Sequence, residues 1–391
     1  MQYLAVLGQN SRLSLAEILA VYPDAKIIAH RDEAVIFDTK KSVELNQLGG
    51  SPKIAEVIGE FSPDIKKISE AVASELFSFS KEQKVFFGLS FYGNANKNFY
   101  NSLGRMIKSR LTESGYRARW VVGRDIALSS VLIKTNKLLT RGADFCLVFF
   151  TGKIYLAKTA EVQDFSDYGF RDMRRPARDL VSGLTPPKLA KILINLGGKP
   201  ACAGRQKEIL DPFCGSGTFL GEAALLGFKK IYGSDVSAKA IADSKKNLEW
   251  LKEKYNFPAD IGIKQCDIKN SRVCWSRQFD FIATEPYLGP PIRGTIGFEK
   301  AKHLQTELQK NYDEYLPALS GLLENGGTLV LIAPLIISEN GHLKISLKLK
   351  ENGLEAVHPL PANIHNQPTI IYSRQDQKIG REIYILKKIS N

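Results

Sequence analysis

No stretch of the chain is long and apolar enough to cross a bilayer, since the longest apolar run, about 328–337, falls well short of the roughly 20 residues a spanning helix requires. The opening residues Met1 to Gly8 carry no basic stretch and meet Arg12 and Glu17 before an apolar segment can build. A secretory leader is therefore not expected, and the expected compartment is the cytoplasm. Cysteine is scarce: Cys146, Cys202, Cys214, Cys266 and Cys274 are odd in number and form no Cys-x-x-Cys pair, and the five histidines stand at no ligand spacing beside them. A metal centre is not expected, and the cysteines read as buried free thiols. Internal repeats and low-complexity tracts are absent as well, which argues against a solenoid or a disordered array.

Acidic residues are nearly missing from one segment. Between residues 97 and 141 the charges are Lys97, Arg105, Lys108, Arg110, Arg117, Arg119, Arg124, Lys134, Lys137 and Arg141 against only Glu113 and Asp125. Over the whole 391 residues, 54 lysines and arginines exceed 41 acids by 13, and such a surplus favours an anionic partner, nucleic acid first. Arg105, Lys108, Arg110, Arg117 and Arg119 are the candidate phosphate contacts of this segment. Tyr92, Phe99, Tyr100 and Trp120 are interleaved with them and read either as stacking platforms or, more commonly for such residues, as core.

A length of 391 residues allows two to three domains at about 150 residues each. Residues 1–60 alternate strand-like YLAVLG, helix-like SLAEILAVY and strand-like EAVIFD, a small ferredoxin-like α/β unit. Residues 61–160 alternate again through VFFGLSFYG, the basic helical NSLGRMIKSRLTES and DFCLVFF. Residues 161–185 read as a linker carrying Arg175, Arg178 and Gly183, the two arginines being further candidate RNA contacts. Residues 186–391 open with Pro186-Pro187, a helix start, and then repeat strand, glycine turn and helix, the pattern of a doubly wound, Rossmann-like parallel sheet.

That last part holds the chemistry. In KEILDPFCGSGTFLGEAALLG an apolar strand ends at Asp211, a loop carries Gly215 and Gly217, and an alanine-rich helix follows. Glycines at such a junction admit a ligand close to the backbone, and the helix start offers free amides. No lysine follows the second glycine, so this is not a phosphate loop of the Walker type, and an acid at the strand end suits an amine-bearing or cationic ligand better than a pyrophosphate. Asp235 ends the next strand, 24 residues on, near where a carboxylate grips ribose hydroxyls. Asp267 ends a third and suits an adenine amino group. Singly, Asp235 reads equally as a helix cap and Asp267 as a turn residue; three acids in register at the ligand-binding edge favour the functional reading. The fourth strand, FDFIAT, runs into Glu285-Pro286-Tyr287. A carboxylate, a proline carbonyl and an aromatic ring suit methylation of an exocyclic amine, with acceptors for the amine protons and a platform for the base.

With these strings in hand, the chain resembles the S-adenosylmethionine-dependent methyltransferases that carry an N-terminal THUMP domain and methylate the 2-amino group of guanine in tRNA. The likeness runs from YLAVLGQNSRLSLAEILAVY through VLIKTNKLLTRGADF and the linker RDMRRPARDLVSGLTPPKLAKILINL to DPFCGSGTFLGEA. It implies that Asp211, Gly215 and Gly217 contact the methionine part of the cofactor, Asp235 its ribose and Asp267 its adenine; Phe213 in the same loop is a further candidate cofactor-binding residue, and it is placed to help hold the target base. It implies tRNA as partner and a guanosine near position ten as target, with neither metal nor covalent intermediate. The family usually carries Asp-Pro-Pro-Tyr where this chain has Glu285-Pro286-Tyr287-Leu288. Counted from the strand, Glu285 takes the acid's place; counted from Pro-Tyr, Thr284 does; the strand length favours the first. Two other readings stay open: an N6-adenine methyltransferase acting on DNA or ribosomal RNA, and a catalytically silent RNA-binding homologue. The closing strings TIIYSR and IGREIYILKK read as a terminal hairpin packed on the sheet, and His358 and His365 as structural.

Overall fold

The computed structural model describes every residue except 95, 179–183, 203–204, 293, 375–376 and 390–391, and only the backbone of 201–202. The chain divides into two compact units, whose main boundary falls between Asp167 and Tyr168.

The first unit is built on strands β1 (Gln2–Val6), β2 (Lys26–His30), β3 (Ala34–Asp38), β4 (Lys53–Phe61), β5 (Val85–Tyr92), β6 (Ala118–Val121), β7 (Gly142–Phe150) and β8 (Lys153–Val162). They form one eight-stranded sheet in the order β2-β3-β1-β4-β8-β7-β5-β6. The expected division at residue 60 thus falls inside β4, whose residues pair with both β1 and β8, so residues 1–60 and 61–160 share a single sheet. Local alternation showed each half as an α/β unit but could not show that their edges join, because that pairing is long-range. Helices α1 (Ser11–Val21), α2 (Ile65–Leu76), α3 (Lys97–Glu113) and α4 (Ser130–Thr135) complete the strand connections.

At the heart of this sheet Lys53 Nζ meets Asp144 Oδ2 at 2.7 Å and Ser90 Oγ at 2.9 Å, and Thr159 Oγ1 donates to the same carboxylate oxygen at 2.7 Å. The carboxylate beside it raises the lysine's pKa although burial opposes its charge. Tyr92, Tyr100, Phe99 and Trp120 pack with this unit's cores, the Tyr100 and Trp120 rings lying 5.2 Å apart, so they are core and not stacking platforms.

The stretch expected as a linker contains a helix, α5 (Phe165–Met173), while Gly183 lies outside the described residues. Beyond it, α6 (Pro187–Gly197) starts with Pro187 in its first turn, as the Pro-Pro pair predicts. There follow β9 (Glu208–Asp211), α7 (Thr218–Leu225), β10 (Lys230–Asp235), α8 (Ala238–Tyr255), β11 (Asp260–Gln265), β12 (Phe279–Thr284), α9 (Phe298–Gly321) and β13 (Leu323–Ser338). The chain ends with β14 (Gly341–Lys344), β15 (Leu354–Ala356), β16 (Thr369–Tyr372) and β17 (Ile379–Lys388). The main sheet path is β11-β10-β9-β12-β13-β17-β15, parallel through its first five strands, with β17 inserted antiparallel.

Residues 327–336 of β13 are buried without a break, which explains the longest apolar run: a central strand covered on both faces has no polar side to show. Leu304, Leu308, Tyr312, Leu316 and Leu319 of α9 pack in one core with Leu329 and Leu331 of that strand, a spacing of three and four residues that lays one helix face on the sheet.

The cysteines correct the expectation of free thiols in part. Cys146 and Cys214 are free and buried, but Cys266 and Cys274 are joined by a disulfide. The sequence offered no sign of it, because a spacing of eight residues becomes a pairing only through the turn from β11 toward β12.

Candidate active site

Because β9, β10 and β12 are parallel neighbours, their carboxyl ends come to one edge of the sheet, and the acids that end them arrive together there. Asp211 is buried. Its Oδ1 accepts from Thr284 Oγ1 at 2.7 Å and from the Phe213 amide at 3.1 Å, while its Oδ2 is enclosed without a hydrogen-bond partner. Burial is the main cause that pushes its pKa up to about 7, and the nearby carboxylates of Asp235 and Glu285 add to it.

Asp235 fastens the glycine loop: its Oδ2 accepts from the Gly215 amide at 3.0 Å and its Oδ1 from the Ser237 amide at 2.9 Å. The cap of α8 is Ser237, whose hydroxyl accepts from the Ala240 amide, so Asp235 is not spent on capping. Gly215 has a positive φ of 50° and open space where a side chain would stand. Gly217 (φ +86°) sits so close to Ser244 that a Cβ would lie 2.5 Å from its hydroxyl oxygen; here glycine is required both by conformation and by the close approach of α8. Gly217 also precedes α7 without a side-chain cap, leaving first-turn amides free for a ligand.

A cleft of about 1210 Å³, counted to its open mouth, joins these residues to the fourth strand end. Its lining includes Asp211, Phe213, Gly215 and Asp235 together with Glu285, Pro286, Tyr287 and Leu288. Thr284 is the last residue of β12 and turns inward to Asp211, which leaves Glu285 as the acid that faces the cleft, the register favoured from strand length. Both Glu285 oxygens are held: Oε1 accepts from Arg381 Nε at 2.6 Å and Oε2 from the Thr185 hydroxyl. Tyr287 is half exposed, its ring accessible, and Phe213 lies edge-on to Tyr315 with centroids 4.9 Å apart.

Asp267 stands apart from that lining. Its Oδ1 accepts from the Lys269 amide at 3.0 Å and caps the short turn 268–270, the turn role that its sequence also allowed. Three lining residues had no sequence signal of function: Thr185 at the end of the expected linker, Tyr315 on a helix face that reads as core, and Arg381 in a strand that reads as terminal packing.

Of the candidate RNA contacts, Arg105, Lys108, Arg117 and Arg119 are exposed in the first unit, Arg105 and Lys108 three residues apart on α3. Arg117 donates to the Glu82 carbonyl, and Arg110 is partly committed, bonding Glu70 at 2.8 Å and Ser69 at 2.9 Å. Arg178 is exposed. Arg175 must be withdrawn as a surface contact: it is buried, and donates to Thr218 Oγ1 at 2.8 Å, bracing the first turn of α7.

The residues at the glycine-loop end fit S-adenosylmethionine: an enclosed, unpartnered carboxylate oxygen suits its amino group or sulfonium, and an open glycine turn with free amides suits its methionine part. The second unit has a methyltransferase fold. Residues 178–335 match the UPF0020 family, described as an RMKL-like methyltransferase domain. A stretch of 152 residues is 31% identical to the tRNA (guanine(10)-N2)-dimethyltransferase of Methanothermobacter thermautotrophicus, and covers 39% of this chain and 39% of that protein. The chain is thus matched over only about two-fifths of that relative's length. Among solved structures, TrmN from Thermus thermophilus superposes over 100% of both chains with a TM-score of 0.55 at 16% identity. The putative methyltransferase SMU.472, solved as a complex with SAH, does so over 98% of this chain and 97% of its own with a TM-score of 0.51 at 11% identity.

Proposed function

We propose that this chain transfers a methyl group from S-adenosylmethionine to the exocyclic N2 amine of a guanosine in tRNA, at or near position ten, the position named for the Methanothermobacter relative. The observation that carries the reading is that one cleft joins the Asp211–Gly215 end, which suits the cofactor, to Glu285-Pro286-Tyr287, which suits an aromatic amine. The bound cofactor supplies a methyl group on a positively charged sulfur. Glu285 and the Pro286 carbonyl accept the two amine protons and so concentrate the lone pair on N2, which otherwise delocalises into the ring. Each Glu285 oxygen keeps a further lone pair beyond its bond to Arg381 or Thr185, so the carboxylate can take the proton that N2 sheds as the new N–C bond forms. Tyr287 stacks on the base, and Phe213, which also lines the cleft, helps to hold it. A paired guanosine must leave its stack to reach this edge, so the enzyme flips its target. We assign the first unit to a THUMP-like tRNA-anchoring role, with Arg105, Lys108, Arg117 and Arg119 on phosphates, and place the protein in the cytoplasm.

The test is to incubate the protein with unmodified tRNA transcripts and S-adenosylmethionine, digest to nucleosides and identify the product by mass spectrometry. N2-methylguanosine or N2,N2-dimethylguanosine is the expected product. N6-methyladenosine would replace guanine by adenine as the substrate, and no product despite intact cofactor and tRNA binding would make the chain a silent RNA-binding homologue.

A further inference from the structure

The cleft holds a single cationic side chain among its described lining residues, Arg381 of β17. Its Nε–H donates to Glu285 at 2.6 Å, and both side chains are enclosed, only 12% and 10% exposed. A guanidinium carries five N–H donors. The four on the two terminal nitrogens of Arg381 meet no hydrogen-bond partner among the described residues. None of them is among the side-chain atoms buried without a partner, so they face the solvent of the cleft and are available to an acceptor on a ligand. An unspent donor set therefore stands directly beside the carboxylate that receives the amine.

We propose that Arg381 is a specificity-determining residue that selects guanine by donating to its O6. The inference rests on the guanosine reading above and adds to it the group that tells guanine from other amine-bearing purines. Along its Watson–Crick edge guanine presents two donors, the N2 amine and N1–H, followed by the O6 acceptor. A carboxylate with a guanidinium at its side presents the complement, acceptors followed by donors. Adenine presents an amine donor flanked by the N1 acceptor, which would set a ring lone pair against Glu285 and leave Arg381 without a partner. Sites built to pair specific donors and acceptors reject bases that leave those groups unpaired. The Arg381 bond sets the guanidinium and the carboxylate side by side.

The discriminating substrate is a tRNA transcript, ligated from two halves, in which the mapped target guanosine is replaced by 2,6-diaminopurine. This base keeps the N2 amine but carries a second amine in place of O6 and a bare N1. With wild-type protein, guanosine should be methylated about 100-fold more efficiently, as kcat/KM, consistent with the loss of one good bidentate pair. Arg381→Met should slow both reactions but narrow the preference to about tenfold or less, and Arg381→Lys, which keeps a donor, should retain most of it. Unchanged affinity for S-adenosylhomocysteine shows that each variant is folded. If Arg381→Met lowers both rates equally and leaves the preference intact, Arg381 merely positions Glu285 and the proposal falls. A wild-type protein that methylates both bases equally well overturns the proposal while sparing the guanosine reading; one that forms no methylated guanosine removes that reading and this inference with it.

Discussion

Protonation of Asp211 should govern cofactor affinity across the neutral range. Its carboxyl is buried at the end of β9, with one oxygen bonded to Thr284 and Phe213 and the other unpartnered, and burial pushes its pKa up to about 7. If the unpartnered oxygen receives the positively charged amino group of the cofactor, only the ionised form binds well. Binding then releases a proton on the acid side, and affinity rises with pH. At pH 6 about one Asp211 in ten is ionised and at pH 8 about nine in ten, so the dissociation constant for S-adenosylhomocysteine should fall about tenfold between them, equivalent to roughly 1.4 kcal/mol. Titration calorimetry at pH 6, 7 and 8, repeated in buffers of different ionisation enthalpy, reads both the affinity and the proton count. Asp211→Asn keeps the shape and removes the titration, so its affinity should be weaker at pH 8 and nearly independent of pH. Folding stability runs the opposite way. The pKa is raised in the folded state, so the unfolded chain holds fewer protons between about 4 and 7, and this group's contribution is most favourable at low pH and lost as pH rises through about 7. A flat wild-type profile, or an Asn variant that keeps the slope, would refute the assignment of Asp211 to the cofactor's amino group.

Three further outcomes are expected. Glu285→Gln keeps the side chain's size but removes its charge and its capacity to take a proton, so single-turnover methyl transfer should slow by about 100-fold or more while S-adenosylhomocysteine affinity is unchanged. Replacing Arg105 and Lys108 together by glutamate should weaken tRNA binding more than tenfold and flatten its dependence on salt by about two phosphate equivalents, as measured by filter binding across a salt series. Asp144→Ala leaves the Lys53 ammonium buried without its counter-charge and should cost about 3–5 kcal/mol in urea unfolding, whereas Lys53→Met combined with Asp144→Leu should recover most of the loss.

The site divides into a part that the sequence shows and a part that only folding assembles. Asp211, the Gly215–Gly217 loop and Glu285 follow from one rule: in a parallel sheet the residues just past each strand share an edge, so acids after successive apolar runs are legible in the sequence alone. Asp267 obeys that rule in position, and one of its oxygens caps its own loop, since local amides compete for a strand-end carboxylate. Arg175 shows the converse limit. In a run of arginines a charge count cannot tell the one that turns inward to Thr218 from its exposed neighbours. The same holds for residues 1–160, where each local pattern reads correctly as strand or helix but the β4–β8 pairing that fuses them spans a hundred residues.

Arg381 is the strongest instance of the hidden part, and the reason is topological. Three of the five parallel strands, β9, β10 and β12, bring their carboxyl ends to the cleft, but β17 runs antiparallel to β13 and meets that edge with its amino-terminal end, pairing Arg381 with Pro334. A search for functional groups past strand ends overlooks such a strand by construction, because its contribution lies near its start, in residues that otherwise read as ordinary alternation. Strand direction therefore decides where to look: after the apolar run in β9, β10 and β12, and before it in β17. Once Arg381 is included, the departure of Glu285-Pro286-Tyr287 from the usual Asp-Pro-Pro-Tyr acquires a physical partner. A longer acid needs a second anchor to hold its oxygens in place, and the inserted antiparallel strand is the element of this sheet that supplies one.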